Sequence, residues 1–285
     1  MQDVQTFIGL VYEKKHRRKV QKVVALDLDE TIGSFSHLHI LWNGISKAQK
    51  NNSLQSIDHF FQVFDLFPEF LRDYIFKILI FLYNKRTTVK KTKLFLYTNN
   101  QCSYNWTQKI VQYLEHKMKI SEPLFNHTIG AFKIKNIIVE PKRRSNKKLY
   151  DDFIRCTLLP KSTEICFIDN SYHQDMVQDK IYYIQPRSYY HNLPLSEILN
   201  RFYNSAIGKQ YRINSILKDT YKSYLIDWFE FSSAERYIPR NYNALLSYEI
   251  TKKIMYHLKM FFYHKSKQNT KKYKRARANF TRKLL

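Results

Sequence analysis

The sequence predicts an α/β protein: a mostly parallel sheet flanked by helices, with a small β insertion and a helical, basic C-terminal extension. Three observations carry that expectation. Short apolar runs at Val23–Leu28, Leu94–Tyr97 and Glu164–Ile168 each stop abruptly in polar residues, as buried strands do. Stretches of helical period lie between them. Glycine, at 5 of 285 residues, is too scarce for a fold rich in Gly turns, while 22 Tyr and 20 Phe supply ample core.

Residues 11–22 form a basic lead-in to the first strand, Val23 to Leu28. That strand runs into Asp27 and Asp29, whose i, i+2 spacing points both carboxylates to one face of an extended chain. Thr31 and Gly33 then turn the chain away. Residues 34–56 read as polar and irregular, with Asn51, Asn52 and Ser53 marking a loop. Two helices are expected next. One runs from about Ile57 to Leu66, and the other opens at Pro68, a residue favourable at a first helical position, with Phe70, Leu71, Tyr74, Ile75, Ile78, Leu79 and Leu82 on its apolar face.

The second strand, Leu94 to Tyr97, ends in Thr98-Asn99-Asn100. A helix from about Tyr104 to Met118 follows, with Trp106, Ile110, Val111 and Leu114 facing inward. β-like pieces at Thr128–Ile134 and Ile137–Glu140 read as a small hairpin insertion within 120–147. The basic run Pro141 to Lys148 leads into a short helix, Leu149 to Leu158. The third strand, Glu164 to Ile168, ends in Asp169-Asn170-Ser171, and a fourth, Ile181 to Ile184, is closed by Gln185-Pro186. From Leu195 the chain is helical and Tyr-rich, with helices near 195–204, 211–230 and 242–263. Residues 265–285 carry nine Lys or Arg and no acid. The expected division is 1–194 for the α/β unit, with a helical insertion over 34–92, then 195–264 and a tail at 265–285.

A formal net charge of +24 implies an acidic partner such as nucleic acid, a phosphorylated protein or another polyanion, with the tail as a candidate contact. The competing explanations are solubility and a codon bias toward Lys, Asn, Ile and Tyr. Three scattered cysteines without a CxxC read as reduced core residues of an intracellular protein. Met1 to Val20 lacks the apolar region of a signal peptide, and the most apolar stretch, Ile75 to Tyr83, is too short to span a bilayer. A soluble protein, not secreted, is expected.

Two acids together at a buried strand end repel, unless a cation sits between them or one holds a proton. That points to a Mg²⁺-assisted site with one carboxylate as nucleophile and the other as acid and base. The full string Asp27-Leu-Asp29-Glu-Thr31 resembles motif I of the haloacid-dehalogenase superfamily. Its Glu-Thr ending is similar to the branch of RNA-polymerase C-terminal-domain phosphatases and NLI-interacting-factor-like phosphatases. Thr98 resembles motif II, Lys148 motif III with Lys147 as the alternative, and Asp169-Asn170 motif IV, which also reads Asp-Asn in that branch. The resemblance covers about residues 20–190. It departs from the family in the long segment between motifs I and II, where Pro68 and Arg72 only roughly occupy the usual Arg-Pro-Gly place, and in a longer Lys-to-Asp169 spacing.

The resemblance implies a haloacid-dehalogenase-like, Rossmannoid sheet and a two-step phosphoryl transfer. Asp27 would be the nucleophile and Asp29 the acid and base. Asp27, the Asp29 backbone carbonyl and Asn170 would hold Mg²⁺, with Asp169 steadying the metal or Lys148. Thr98, Asn99 and Lys148, with Thr31 and Lys147 nearby, would bind phosphoryl oxygens. The implied substrate is phosphoserine or phosphothreonine in a protein, with nucleic-acid ends as a variant. A non-catalytic nucleic-acid or virion-binding protein on the same fold is the other class. The Lys/Asn/Tyr-rich composition resembles proteins of large cytoplasmic DNA viruses, which carry similar phosphatases.

Overall fold

The structure is a computed structural model and describes residues 3–13, 21–49, 56–88, 92–160, 162–233 and 244–263. Most of the basic lead-in, the loop at Asn51–Ser53 and the basic tail lie outside the described residues. From edge to edge the main sheet runs β1 (Val4–Ile8), β8 (Ile181–Pro186), β7 (Glu164–Ile168), β2 (Lys22–Leu26), β3 (Thr92–Tyr97) and β4 (His127–Ile129). Only the β1–β8 pair is antiparallel; the other neighbours are parallel. Val23, Val24 and Ala25 are fully buried because a mid-sheet parallel strand is covered on both faces. This is the expected α/β class, in a Rossmann-like arrangement.

The two faces are covered unequally. Val23, Ala25, Tyr97, Phe167 and Tyr183 face α6 (Tyr150–Thr157), whose Phe153 and Cys156 fill that side. Val24, Leu26, Leu96, Ile168 and Ile184 face a much thicker helical layer. It combines α2 (Ser36–Ala48), α3 (Ile57–Asp65), α4 (Ile75–Thr88) and α5 (Tyr104–Met118) with α7 (Leu195–Asn204), α8 (Ala206–Ile213), α9 (Tyr221–Ser233) and α10 (Ala244–Tyr263). α9 lies against α2, while α10 runs along β8, β1 and α4. The helices after residue 195 therefore share one apolar core with the sheet.

Several elements differ from expectation. Residues 36–48 form α2 instead of irregular chain, because Leu38, Leu41, Trp42, Ile45 and Ala48 make a buried helical stripe. No α-helix starts at Pro68. Pro68–Phe70 is a single 3₁₀ turn, Tyr74 takes a left-handed conformation (φ 59°), and α4 begins only at Ile75. His127–Ile129 joins the main sheet beside β3, so the separate hairpin shrinks to β5 (Lys133–Ile134) and β6 (Ile137–Ile138). The expected helix over 211–230 is two, parted by turns at 214–220. β1 and α1 (Leu10–Glu13) were not expected at all. Among the described residues no helix is long and apolar enough to cross a membrane.

Candidate active site

The chain returns from β4 at one edge, through α6, to β7 on the other side of β2. Strand order therefore reverses beside β2, and the crevice outside the carboxyl ends of β2 and β7 is where such sheets bind ligands. Asp27 and Asp169 lie one residue beyond the paired Leu26 and Ile168. The Asp27 N–H still donates to the Ile168 carbonyl (2.9 Å) and the Asp169 N–H to that of Ile184 (3.2 Å). Backbone pairing thus fixes both carboxylates side by side.

Lys148 reaches between them from the start of α6. Its ammonium donates to Asp27 Oδ1 at 2.5 Å and to Asp169 Oδ2 at 2.6 Å, and the side chain is only 3 % exposed. His173 Nε2 lies 3.2 Å from the same Asp169 oxygen, and the Ser171 N–H donates to the other, Oδ1 (2.8 Å). Asp29 Oδ2 accepts from the Asn100 amide at 2.7 Å. Thr98 is buried at the end of β3, its hydroxyl accepting from the Asn100 N–H at 3.0 Å.

Burial pushes the Asp27 carboxyl up to about 8, against the Lys148 ammonium and helped by the negative charges of Asp169 and Asp29. Burial raises Asp29 as well, opposed by the bond from Asn100. Burial alone would lower Lys148, but the Asp169 and Asp27 carboxylates outweigh it and hold the ammonium above its ordinary value. Burial likewise opposes the charge on Asp169, yet Lys148 and His173 keep it below the ordinary carboxylate range. Lys148 and Asp169 are thus the settled ion pair. Asp27 and Asp29 are left short of positive charge.

That shortfall suits a divalent cation, and the donor chemistry fits one. Among the described residues no three His, Cys, Asp or Glu side chains cluster as a metal cage. Mg²⁺ needs no cage, since it binds through one or two carboxylates and keeps several waters. The Asn170 amide sits 3.0 Å from the Asp29 carbonyl oxygen, 3.2 Å from Asp27 Oδ2 and 2.8 Å from Thr31 Oγ1. With nitrogen at that position it donates to these oxygens, while its oxygen accepts from Ser188 Oγ (3.1 Å). With oxygen there, Asp27, the Asp29 carbonyl and Asn170 present converging hard oxygens to a cation.

A strap holds the turn after β2. Glu30 is left-handed (φ 56°), and its N–H donates to the Gly33 carbonyl at 2.7 Å. The buried Arg72 donates to the Thr31 carbonyl (2.6 Å) and the Glu30 carbonyl (2.7 Å) from below. Gly33 permits this approach, because a Cβ there would sit 2.4 Å from the Phe70 carbonyl oxygen.

The structure brings Asp27, Asp29, Thr31, Lys148, Asp169 and Asn170 together, with Thr98 at the adjoining strand end. Lys147 and Asn99 are held otherwise, both through Arg143. Lys147 is exposed and contributes its carbonyl to Arg143 Nη2 (3.0 Å). Asn99 Oδ1 also accepts from Arg143 (2.7 Å), and its amide donates to the Asn146 carbonyl, so it braces the loop. Arg143 itself was missed. It is 1 % exposed and also donates to the Thr98 and Gly130 carbonyls, tying three loops together below Lys148. Asn100 and His173 were missed as well, although they lie close in sequence to Thr98 and Asp169. No protein-family model, no curated protein and no solved structure matches this chain.

Proposed function

We propose that the chain is a Mg²⁺-dependent phosphatase of the haloacid-dehalogenase type, cleaving phosphomonoesters through an aspartyl-phosphate on Asp27. The carrying observation is the Lys148 ammonium held between Asp27 and Asp169 at the mouth of the switch-point crevice. The order Asp27, Thr98, Lys148, Asp169-Asn170 on successive strand ends and a helix start supports it further.

In this reading an Asp27 carboxylate oxygen attacks phosphorus and the bond from phosphorus to the leaving oxygen breaks. Asp29, oriented by Asn100, gives that oxygen its proton. Asp29 then takes a proton from water, which attacks the phosphorus of the aspartyl-phosphate and releases phosphate, regenerating Asp27. Lys148 offsets charge on the phosphoryl oxygens and on Asp27, and Thr98 binds one of those oxygens. Asp27, the Asp29 carbonyl and Asn170 would hold Mg²⁺, with Asp169 fixing Lys148 beside it. The ion would supply the screening that lets an anionic ester approach a carboxylate.

The Glu30-Thr31 and Asp169-Asn170 signatures favour phosphoserine or phosphothreonine in a protein. The net charge of +24 favours a second reading, the phosphate of a nucleotide or nucleic-acid end. Hydrolysis of a small aryl phosphate, wild type beside Asp27→Asn, tests the chemistry. Turnover that requires both Mg²⁺ and Asp27 is expected. Turnover retained in Asp27→Asn would refute the nucleophile, and none in folded, Mg²⁺-loaded wild type would leave a binding protein.

A further inference from the structure

Beside Asp29 opens a cleft of about 470 Å³, a size common for ligand pockets. Phe35, Trp106 and, from α9, Trp228 contribute aromatic rings to its lining. Polar residues line it too, among them Asn43 of α2 and Gln101 of the segment between β3 and α5. The cleft lies on the side of the proposed proton donor, which is where the leaving group of an ester must sit.

The chain is shaped to put Trp228 there. Its indole N–H donates to the Ile40 carbonyl of α2 at 2.9 Å, and the Lys47 ammonium lies 4.1 Å from its ring centroid. Gly44, in the interior of α2, makes room: a Cβ there would stand 2.7 Å from Trp228 Cδ1. A mid-helix glycine is unfavourable in itself, so the close approach of the indole is what the position gains.

We infer that this cleft binds the nucleoside of a nucleoside monophosphate ester, free or at the end of a strand, with its base against Trp228. The inference rests on the phosphatase reading above for the position of the phosphate. Aromatic walls bind the face of a base, and amide side chains suit its hydrogen-bonding edge. A phosphopeptide fits less well. The cleft is walled largely by the sides of α2, α5 and α9, whose backbone groups are already paired within the helices, so it offers no strand edge to a main chain. The positive charge of the whole chain adds long-range attraction for a polyanion.

The test compares 3′- and 5′-nucleoside monophosphates, phosphate-ended oligonucleotides, a phosphoserine peptide and glycerol phosphate in Mg²⁺, on wild type, Trp228→Ala and Trp228→Phe. Wild type is expected to prefer the nucleotides. That selectivity over glycerol phosphate should fall at least about ten-fold in Trp228→Ala and persist in Trp228→Phe. The mononucleotide and oligonucleotide arms tell a free ligand from a strand end. Turnover without nucleotide preference, or an equal loss on every ester, overturns the cleft assignment and leaves the phosphatase standing. If no ester is hydrolysed, the phosphatase reading fails, and calorimetric titration with nucleoside monophosphate decides the cleft. Binding weakened by Trp228→Ala upholds it; no binding overturns it.

Discussion

At the scale of single residues, Asp27 and Lys148 should respond oppositely to mutation. The folded Asp27 carboxyl is raised from its ordinary 3.8 to about 8, so its contribution to stability is present below pH 3.8 and lost as pH rises toward 8. Asp27→Asn removes that loss. In metal-free protein it is expected to raise Tm by at least about 2 °C at pH 8, with the difference shrinking toward pH 4. A thermal scan across that range checks this; a variant less stable at pH 8 would show Asp27 to be a structural ion-pair partner. Lys148→Met instead removes the ammonium between Asp27 and Asp169 and leaves only His173, beside Asp169, to offset two buried carboxylates. It is expected to cost about 3–5 kcal/mol in denaturant unfolding and to abolish turnover.

At the scale of elements, α2 carries two expectations. Ala outranks Gly by about 1 kcal/mol in a helix interior, yet Gly44→Ala drives a Cβ into the anchored Trp228. The packing cost should win, leaving a net destabilisation of about 1 kcal/mol or more; a stabilised variant would mean that α9 yields easily. The second concerns His37 of α2 and His191, whose Nε2 lies 2.9 Å from His37 Nδ1. Since His191 Nδ1 accepts from the Leu193 N–H, its proton sits on Nε2 and is donated to His37. Burial, with the neighbouring His37, lowers His191 from 6.5 to about 3. The stability it contributes is present above pH 6.5 and lost as pH falls toward 3. The slope of stability against pH between 6 and 4 should be shallower in His191→Gln, and equal slopes would contradict this.

At the scale of the whole molecule, the legible features were those with local periodic signals. The runs that became β2, β3 and β7 are continuous and apolar because both sheet faces are covered, and α5 kept a clean inward stripe. Asp27, Lys148 and Asp169 were legible because each ends a strand or precedes a helix. α2 was not, because polar His37, His39 and Asn43 and the helix-poor Gly44 flank its stripe; His37, His39 and Gly44 lie against His191, Trp106 and Trp228, which are distant in sequence. Arg143 is chemically like its neighbours in the run Lys142 to Lys148, and only tertiary structure reveals that it is buried. Trp228 shares the difficulty, for nothing near it in sequence says that it lines the same cleft as Asp29.

If the proposed reaction runs through Asp27, that residue carries a phosphoryl group during turnover. The most direct measurement is acid quench of the Mg²⁺-loaded protein during turnover of an aryl phosphate, followed by mass mapping of its peptides. A phosphoryl group on the peptide containing Asp27, absent from Asp27→Asn, is the expected result. Turnover with no covalent phosphoryl group, or with one on another residue, would contradict it.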